Sequence, residues 1–168
     1  WGAAGAFVGL QRTEDRITAT VCDSGKGFLR SLEEKRSSKT PMADLPKNDL
    51  QAIILASLVN RREFGLRRAI TMVVDRAGWM LSSCAKGEVK WKAESWQRAL
   101  EQVATGEEGS FGVPPVEAIF GSPPRGVADL SQRAAGYCRE WFVGLRGVRI
   151  SFEIPIPRPS TWREERQW

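Results

Sequence analysis

Ile17-Thr18-Ala19-Thr20-Val21-Cys22-Asp23-Ser24-Gly25-Lys26-Gly27-Phe28 is the stretch around which the rest of the chain organises. Ile17 to Cys22 alternates apolar with polar or small residues at the period of two expected of a half-buried strand, and an acid and two glycines follow at once. A carboxylate there can accept hydrogen bonds from a ligand amine. Gly25 and Gly27 let backbone approach a ligand or take positive φ without a Cβ clash. Asp-Ser-Gly is equally ordinary turn chemistry, so the segment taken alone reads either as a ligand site or as a bare turn.

Upstream, Ala6 to Leu10 is apolar and Gln11 to Arg16 is polar and turn-like, which with Ile17 to Cys22 predicts a β-hairpin. Downstream, Leu29 to Lys35 predicts a short helix, and Arg36 to Asn48, with Pro41 and Pro46, a loop. Leu50, Ile53, Ile54 and Leu58 fall on one helical face of Asp49 to Val59, with Asn48 or Asp49 as the cap. Leu66, Ala69, Ile70, Val73 and Val74 form a second helical stripe, ended at Ala77-Gly78 with glycine as the left-handed stop. Trp79 to Cys84 predicts a strand, Lys86-Gly87 a turn, and Val89 to Lys92 alternates again. Ser95 to Ala104 predicts a helix, Gly106 to Pro124 a loop and Asp129 to Phe142 another helix. Val148 to Ile154 alternates cleanly before Pro155 and Pro157, as a strand does. The expected fold is α+β, a two-layer sandwich of a mixed, mostly antiparallel sheet with helices on one face.

The 168 residues suit a single domain, and 42% apolar with 27% charged residues is ordinary for a globular protein. No apolar run approaches the roughly 20 residues that cross a bilayer. The sequence opens at Trp1 with no leader visible, so a piece of a longer protein is expected, with cytoplasmic localisation as the default. A formal charge of +5 and a pI near 9.4 suit a polyanion, but Arg61-Arg62, Arg67-Arg68 and the tail from Arg158 are diluted by acids or apolar residues. Nucleic acid is therefore the less favoured partner. Cys22, Cys84 and Cys138 are far apart with no CxxC pair, which argues against zinc or a disulfide framework. The absence of histidine removes Ser-His-Asp and Cys-His catalysis and imidazole metal sites from these residues.

Four segments, in order, resemble the ATP-binding domain shared by sensor histidine kinases, gyrase, MutL-type repair proteins and large heat-shock chaperones, the GHKL or Bergerat-fold family. Asp23-Ser24-Gly25-Lys26-Gly27-Phe28 looks like the first glycine box. Phe64-Gly65-Leu66 resembles the second, with Glu63 in place of its first glycine. Gly78 to Cys84 is similar to the glycine-led strand after the second-box helix, and Gly147 to Pro155 to the closing strand, with Val148 replacing a small hydroxyl residue. The resemblance implies that residues 1–157 form a partial histidine-kinase-like ATP-binding domain with an insertion at 88–146, followed by a basic, tryptophan-containing tail at 158–168. It implies ATP as ligand, with Asp23 holding the adenine amino group, Gly25, Gly27 and Phe28 shaping the pocket edge, and Gly65 and Leu66 offering helix-start N–H groups to phosphates. Arg61 and Arg62, with Arg67, would offset the repulsion from Glu63.

The family's N-box helix, with its general base and its magnesium-binding asparagine, should precede the hairpin. The Mg2+ ligand is accordingly expected upstream, and neither a catalytic nor a metal residue is assigned within these residues. Two readings stay open. One is the nucleotide-binding part of a signalling ATPase, which switches contacts with a partner protein or domain; ATPase or kinase activity would belong to the full-length protein. The other is a non-catalytic interaction module with a degenerate pocket, docking protein or nucleic acid. Lys26 is expected to be solvated, Ser82 and Ser83 to be strand residues, and Trp91, Trp96 and Trp141 to be core or interface anchors rather than base-stacking platforms.

Overall fold

A computed structural model describes residues 5–34, 46–58, 65–104, 114–121 and 135–157. Among them are four strands, β1 (Ala6–Arg12), β2 (Arg16–Asp23), β3 (Trp79–Trp91) and β4 (Tyr137–Pro155). Five helices accompany them: α1 (Phe28–Glu34), α2 (Asp49–Leu58), α3 (Leu66–Val74), α4 (Ala93–Ala104) and α5 (Val116–Phe120). The sheet order is β1-β2-β4-β3 and every pairing is antiparallel, so the α+β architecture is as expected while no parallel pair occurs among the described strands.

Alternation along the strands decides which face meets the helices. Met80 and Cys84 of β3 and Val148, Ile150, Phe152 and Ile154 of β4 pack into one core with α1, α2, α3 and α4. Arg149, Ser151 and Glu153, at the intervening positions of β4, belong to the opposite face. Helix α2 lies deepest: Leu50, Ala52, Ile53, Ile54, Ala56, Ser57 and Leu58 are all buried. Asn48 caps it, its Oδ1 accepting the Gln51 N–H at 2.9 Å, as the sequence suggested.

Strand β3 is continuous in pairing but not straight. Lys90 Nζ lies 4.2 Å from the centroid of the Trp79 ring, although an extended run of that length would part them by roughly 36 Å. The chain doubles back at Ala85-Lys86-Gly87, where Ala85 has φ 47° and the register with β4 shifts. The predicted turn is therefore real, yet it sits inside one strand whose two arms both pair with β4. Gly87 is required there because a Cβ would meet Leu50 N at 2.7 Å, at the start of α2. Lys86 N–H adds a bond to Asp49 Oδ2 at 3.3 Å.

The second arm carries Val89 and Trp91 into the helical layer. Trp91 is fully buried, contacts Trp96 of α4 edge-on at 5.2 Å and Phe120 of α5 at 5.3 Å, and donates from Nε1 to Ser57 Oγ of α2 at 3.2 Å. Ser57 in turn donates to Ile53 O at 2.8 Å, so the indole N–H is satisfied without water.

Three sequence expectations are corrected. The helix expected over Asp129 to Phe142 is not found where the structure describes it: Tyr137 onward belongs to β4, because Tyr137, Cys138, Arg139 and Glu140 pair with Lys90, Val89, Glu88 and Gly87. Residues 122–134 lie outside the described residues. The Gly106 to Pro124 loop contains α5, a short helix held by Ile119 in the core. The left-handed residue ending α3 is Ala77, with φ 56°, and Gly78 is needed instead for space, since a Cβ there would run into the Glu153 carbonyl and approach Val73. Gly78 N–H donates to Val73 O and Ala77 N–H to Val74 O, each at 3.0 Å, the paired bonds of a Schellman stop.

Truncating Trp91 removes the contact shared by three helices. Trp91→Ala is expected to cost about 3–5 kcal/mol of unfolding free energy and Trp91→Phe less, measured by urea denaturation. A loss within about 1 kcal/mol for the alanine variant would show that the indole is not central to this core.

Candidate functional site

Asp23 ends β2, opposite Ala6 of β1 and Val148 of β4. Its Oδ1 accepts the Gly25 N–H at 2.8 Å and the Val148 N–H at 3.2 Å. The first bond is a local Asx turn, and the second reaches across the sheet to the closing strand. Among the described residues Oδ2 accepts nothing. The carboxylate is thus oriented by two backbone donors through one oxygen, with the other left for a further donor. The close approach depends on Gly147, at φ 87°, where a Cβ would collide with the Asp23 carbonyl oxygen.

Gly27 is the second tight point. Its φ is 85°, and a Cβ would lie 2.6 Å from Cys84 Sγ. The same sulfur accepts the Phe28 N–H at 3.3 Å, and Ser31 Oγ donates to Gly27 O at 2.7 Å as α1 begins. Burial raises the Cys84 thiol above its ordinary range, with the Phe28 amide acting against it. Phe28 itself is buried in the core. Asp23, Gly25, Gly27 and Phe28 are therefore brought together, fixed by Cys84 and by the Gly147-Val148 backbone. The sequence reading gave Cys84 only the end of a predicted strand and Val148 only a missing hydroxyl. The periodicity that puts Cys84 on the helix face was the one available signal for its contact with α1.

The remaining expected site residues are placed differently. Gly65 and Leu66 do open α3, and no side chain caps that end among the described residues. Arg67, however, donates to Leu58 O at 3.2 Å, which ties the start of α3 to the end of α2. The other end of α2 abuts Gly87, three residues beyond Cys84. Asp23 and Gly65 thus sit toward opposite ends of a helix about 15 Å long. Arg61 and Arg62, with Glu63 and Phe64, lie outside the described residues. Lys26 pairs with Glu34 at 2.7 Å and is exposed, in keeping with a solvated lysine. Ser83 donates to Glu88 Oε2 at 3.0 Å, and the Ser82 hydroxyl is buried in the strand without a partner among the described residues.

Two further features lie away from Asp23. A cleft of about 400 Å³ between α3 and α4 is lined by Thr71, Val74, Trp96, Gln97 and Leu100 among others; it contains none of the residues expected to bind ligand. On the helix-facing side of the sheet's β1 edge, Val8 and Leu10 are 68% and 75% exposed, so among the described residues no helix covers this strand. Among the described residues no group of three or more Cys, Asp or Glu is placed to hold a metal, and no helix is long and apolar enough to cross a membrane.

No family model matches the sequence, and no curated protein or solved structure matches the chain.

Gly27→Ala imposes both an unfavourable φ and a clash with Cys84, and a loss of about 2–3 kcal/mol in unfolding free energy is expected. Combined with Cys84→Ala the two losses should fall short of their sum by at least about 0.5 kcal/mol, since removing Sγ relieves the clash; simple additivity would refute the contact. Burial pushes the Cys138 thiol up to about 11. Its iodoacetamide labelling, followed by mass spectrometry, should keep rising about tenfold per pH unit past pH 9, where an ordinary thiol has levelled off. A plateau near pH 9 would contradict that placement.

Proposed function

We propose that the chain binds adenine nucleotide as an ATP-binding domain of the GHKL type, with the adenine amino group donating to Asp23. The observation that carries this reading is the asymmetric engagement of the Asp23 carboxylate: two backbone N–H groups orient Oδ1, and Oδ2 is left to accept an exocyclic amine. Support also comes from the convergence of three of the four family-like segments at this corner, since the first box touches Cys84 of the third segment and Gly147-Val148 of the fourth. What this chain's residues do on this reading is bind and orient the base, with Gly27 and Phe28 closing the pocket edge.

The distance between Asp23 and the start of α3 favours a second reading: an interaction module with a degenerate pocket. In it, the apolar face at Val8 and Leu10 receives a helix from a partner protein or from a further part of the same protein.

The two separate in a titration with fluorescent ATP in magnesium. ATP is expected to saturate the protein, GTP to bind at least about tenfold more weakly because its O6 would face the carboxylate, and Asp23→Asn to weaken ATP by about tenfold or more, about 1.4 kcal/mol. Failure to saturate, or an Asp23→Asn variant that is folded by circular dichroism and binds equally well, removes the nucleotide reading.

A further inference from the structure

The face of the sheet turned away from the helices collects cations and aromatic rings that lie far apart in sequence. Trp79, Lys90, Tyr137, Arg139, Trp141 and Arg149 occupy same-face positions on the two arms of β3 and on β4. The doubling back of β3 joins them: Lys90 lies over Trp79 at 4.2 Å, and the Arg139 guanidinium stacks on Trp141 at 3.7 Å with the Tyr137 ring at 5.5 Å. Across the arms, Arg149 is opposite Ser83, Ser83 bonds Glu88, and Glu88 is opposite Arg139. The two arginines thus stand roughly three strand spacings, about 14 Å, apart on one surface.

The charges on this face are held in a particular way. Glu88 is 4% exposed and its carboxylate is taken up by Arg139 at 2.6 Å, by the Tyr137 hydroxyl at 3.1 Å and by Ser83. A buried acid so enclosed anchors Arg139 from below and presents little negative charge to solvent. Arg139 keeps nearly half of its side chain exposed, and Trp141 is 38% exposed. Among the described residues neither Lys90 nor Arg149 forms an ion pair, while Glu153 accepts from Trp79 Nε1 at 3.2 Å and lies 3.6 Å from Arg16. The surface therefore offers cations with aromatic and guanidinium planes beside them.

We propose that this open sheet face binds single-stranded nucleic acid. Phosphates would be met by Lys90 and Arg149, and bases would stack on Trp141 and on the guanidinium plane of Arg139, which Trp141 and Glu88 hold in place. The net positive charge of the chain supplies the long-range attraction. A duplex fits less well, because its bases are already stacked and a flat sheet cannot enter its grooves as a helix does. Asp23 lies at the edge of the helix-covered side, so this face is separate from it.

The test is fluorescence anisotropy of a labelled oligothymidylate of about 20 nucleotides with the 168-residue chain. Binding is expected to weaken between about 50 and 200 mM salt with a log–log slope of about −1.4, as two phosphate contacts give. Trp141→Ala and Arg139→Ala should each weaken binding about tenfold or more, Trp141→Phe should retain most of it, and Arg149→Ala should make the salt slope shallower by about 0.7. Lys47→Ala, an exposed cation on the α2 approach, should change nothing. Circular dichroism verifies that each variant is folded, and Trp141→Phe and Arg149→Ala keep the test open should another variant unfold. The proposal is overturned by absence of binding at the lower salt, by equal affinity for a duplex of the same length, or by binding insensitive to these substitutions. Sensitivity of phosphatidylserine-vesicle binding to the same substitutions, without oligonucleotide binding, would assign the face to a lipid surface and overturn it as well.

Discussion

The chain reversal at Ala85-Lys86-Gly87 is the constraint on which the rest of this structure depends. Gly87 lets the turn press against the first residues of α2, where any Cβ would strike the backbone of Asp49 and Leu50. Once the reversal is fixed there, the returning arm has to run along α2. Its alternation sends Val89 and Trp91 into the helices and Glu88 and Lys90 to the other face. One steric fact at one glycine thereby supplies both the centre of the helical core and the arrangement of charges on the open face.

The two indole N–H groups buried by this arrangement are satisfied in short chains of hydrogen bonds. The Trp91 indole N–H ends on Ser57, which ends on the Ile53 carbonyl; Trp96 Nε1 ends on Thr71, which ends on the Arg67 carbonyl at 3.0 Å. Each large ring can therefore be buried for its area without leaving a donor unpaired. Glu88 follows the same rule with a charge in place of a dipole, and three donors enclose it. The corner at Asp23 obeys it through backbone: Gly25, Val148 and Phe28 all direct N–H groups at side-chain acceptors.

Much of the architecture was legible from local pattern. The hairpin around residue 14 and the helices at 49–58 and 66–74 carry strong periodicity and are present within a residue or two at their ends, and the strand expected at 148–154 is the second part of the longer β4. The first half of β4 was not legible, because Tyr137-Cys138-Arg139-Glu140 becomes a strand only through pairing with Gly87 to Lys90, some fifty residues away. At the candidate site the sequence located Asp23, Gly25, Gly27 and Phe28 as a unit. It did not reveal that Cys84 and the Gly147-Val148 backbone hold them, nor that Arg67 turns to the end of α2, since these contacts are set by how strands stack in register. The tryptophans divide in the same way: Trp91 and Trp96 are core as expected, whereas Trp141 stands partly exposed over Arg139.

The amino-acid sequence by itself determined the elements whose apolar residues repeat at a helical or strand period, the need for glycine at a few tight points, and the absence of histidine chemistry from these residues. Those properties are local, written within one or two turns of chain. Tertiary structure alone decided which oxygen of Asp23 is left open, which face of the sheet gathers Lys90, Arg139 and Arg149, and that β1 is left without a helix over Val8 and Leu10 among the described residues. Each of these depends on which strands become neighbours and where the chain reverses, and that is settled by close packing between segments that have no sequence proximity.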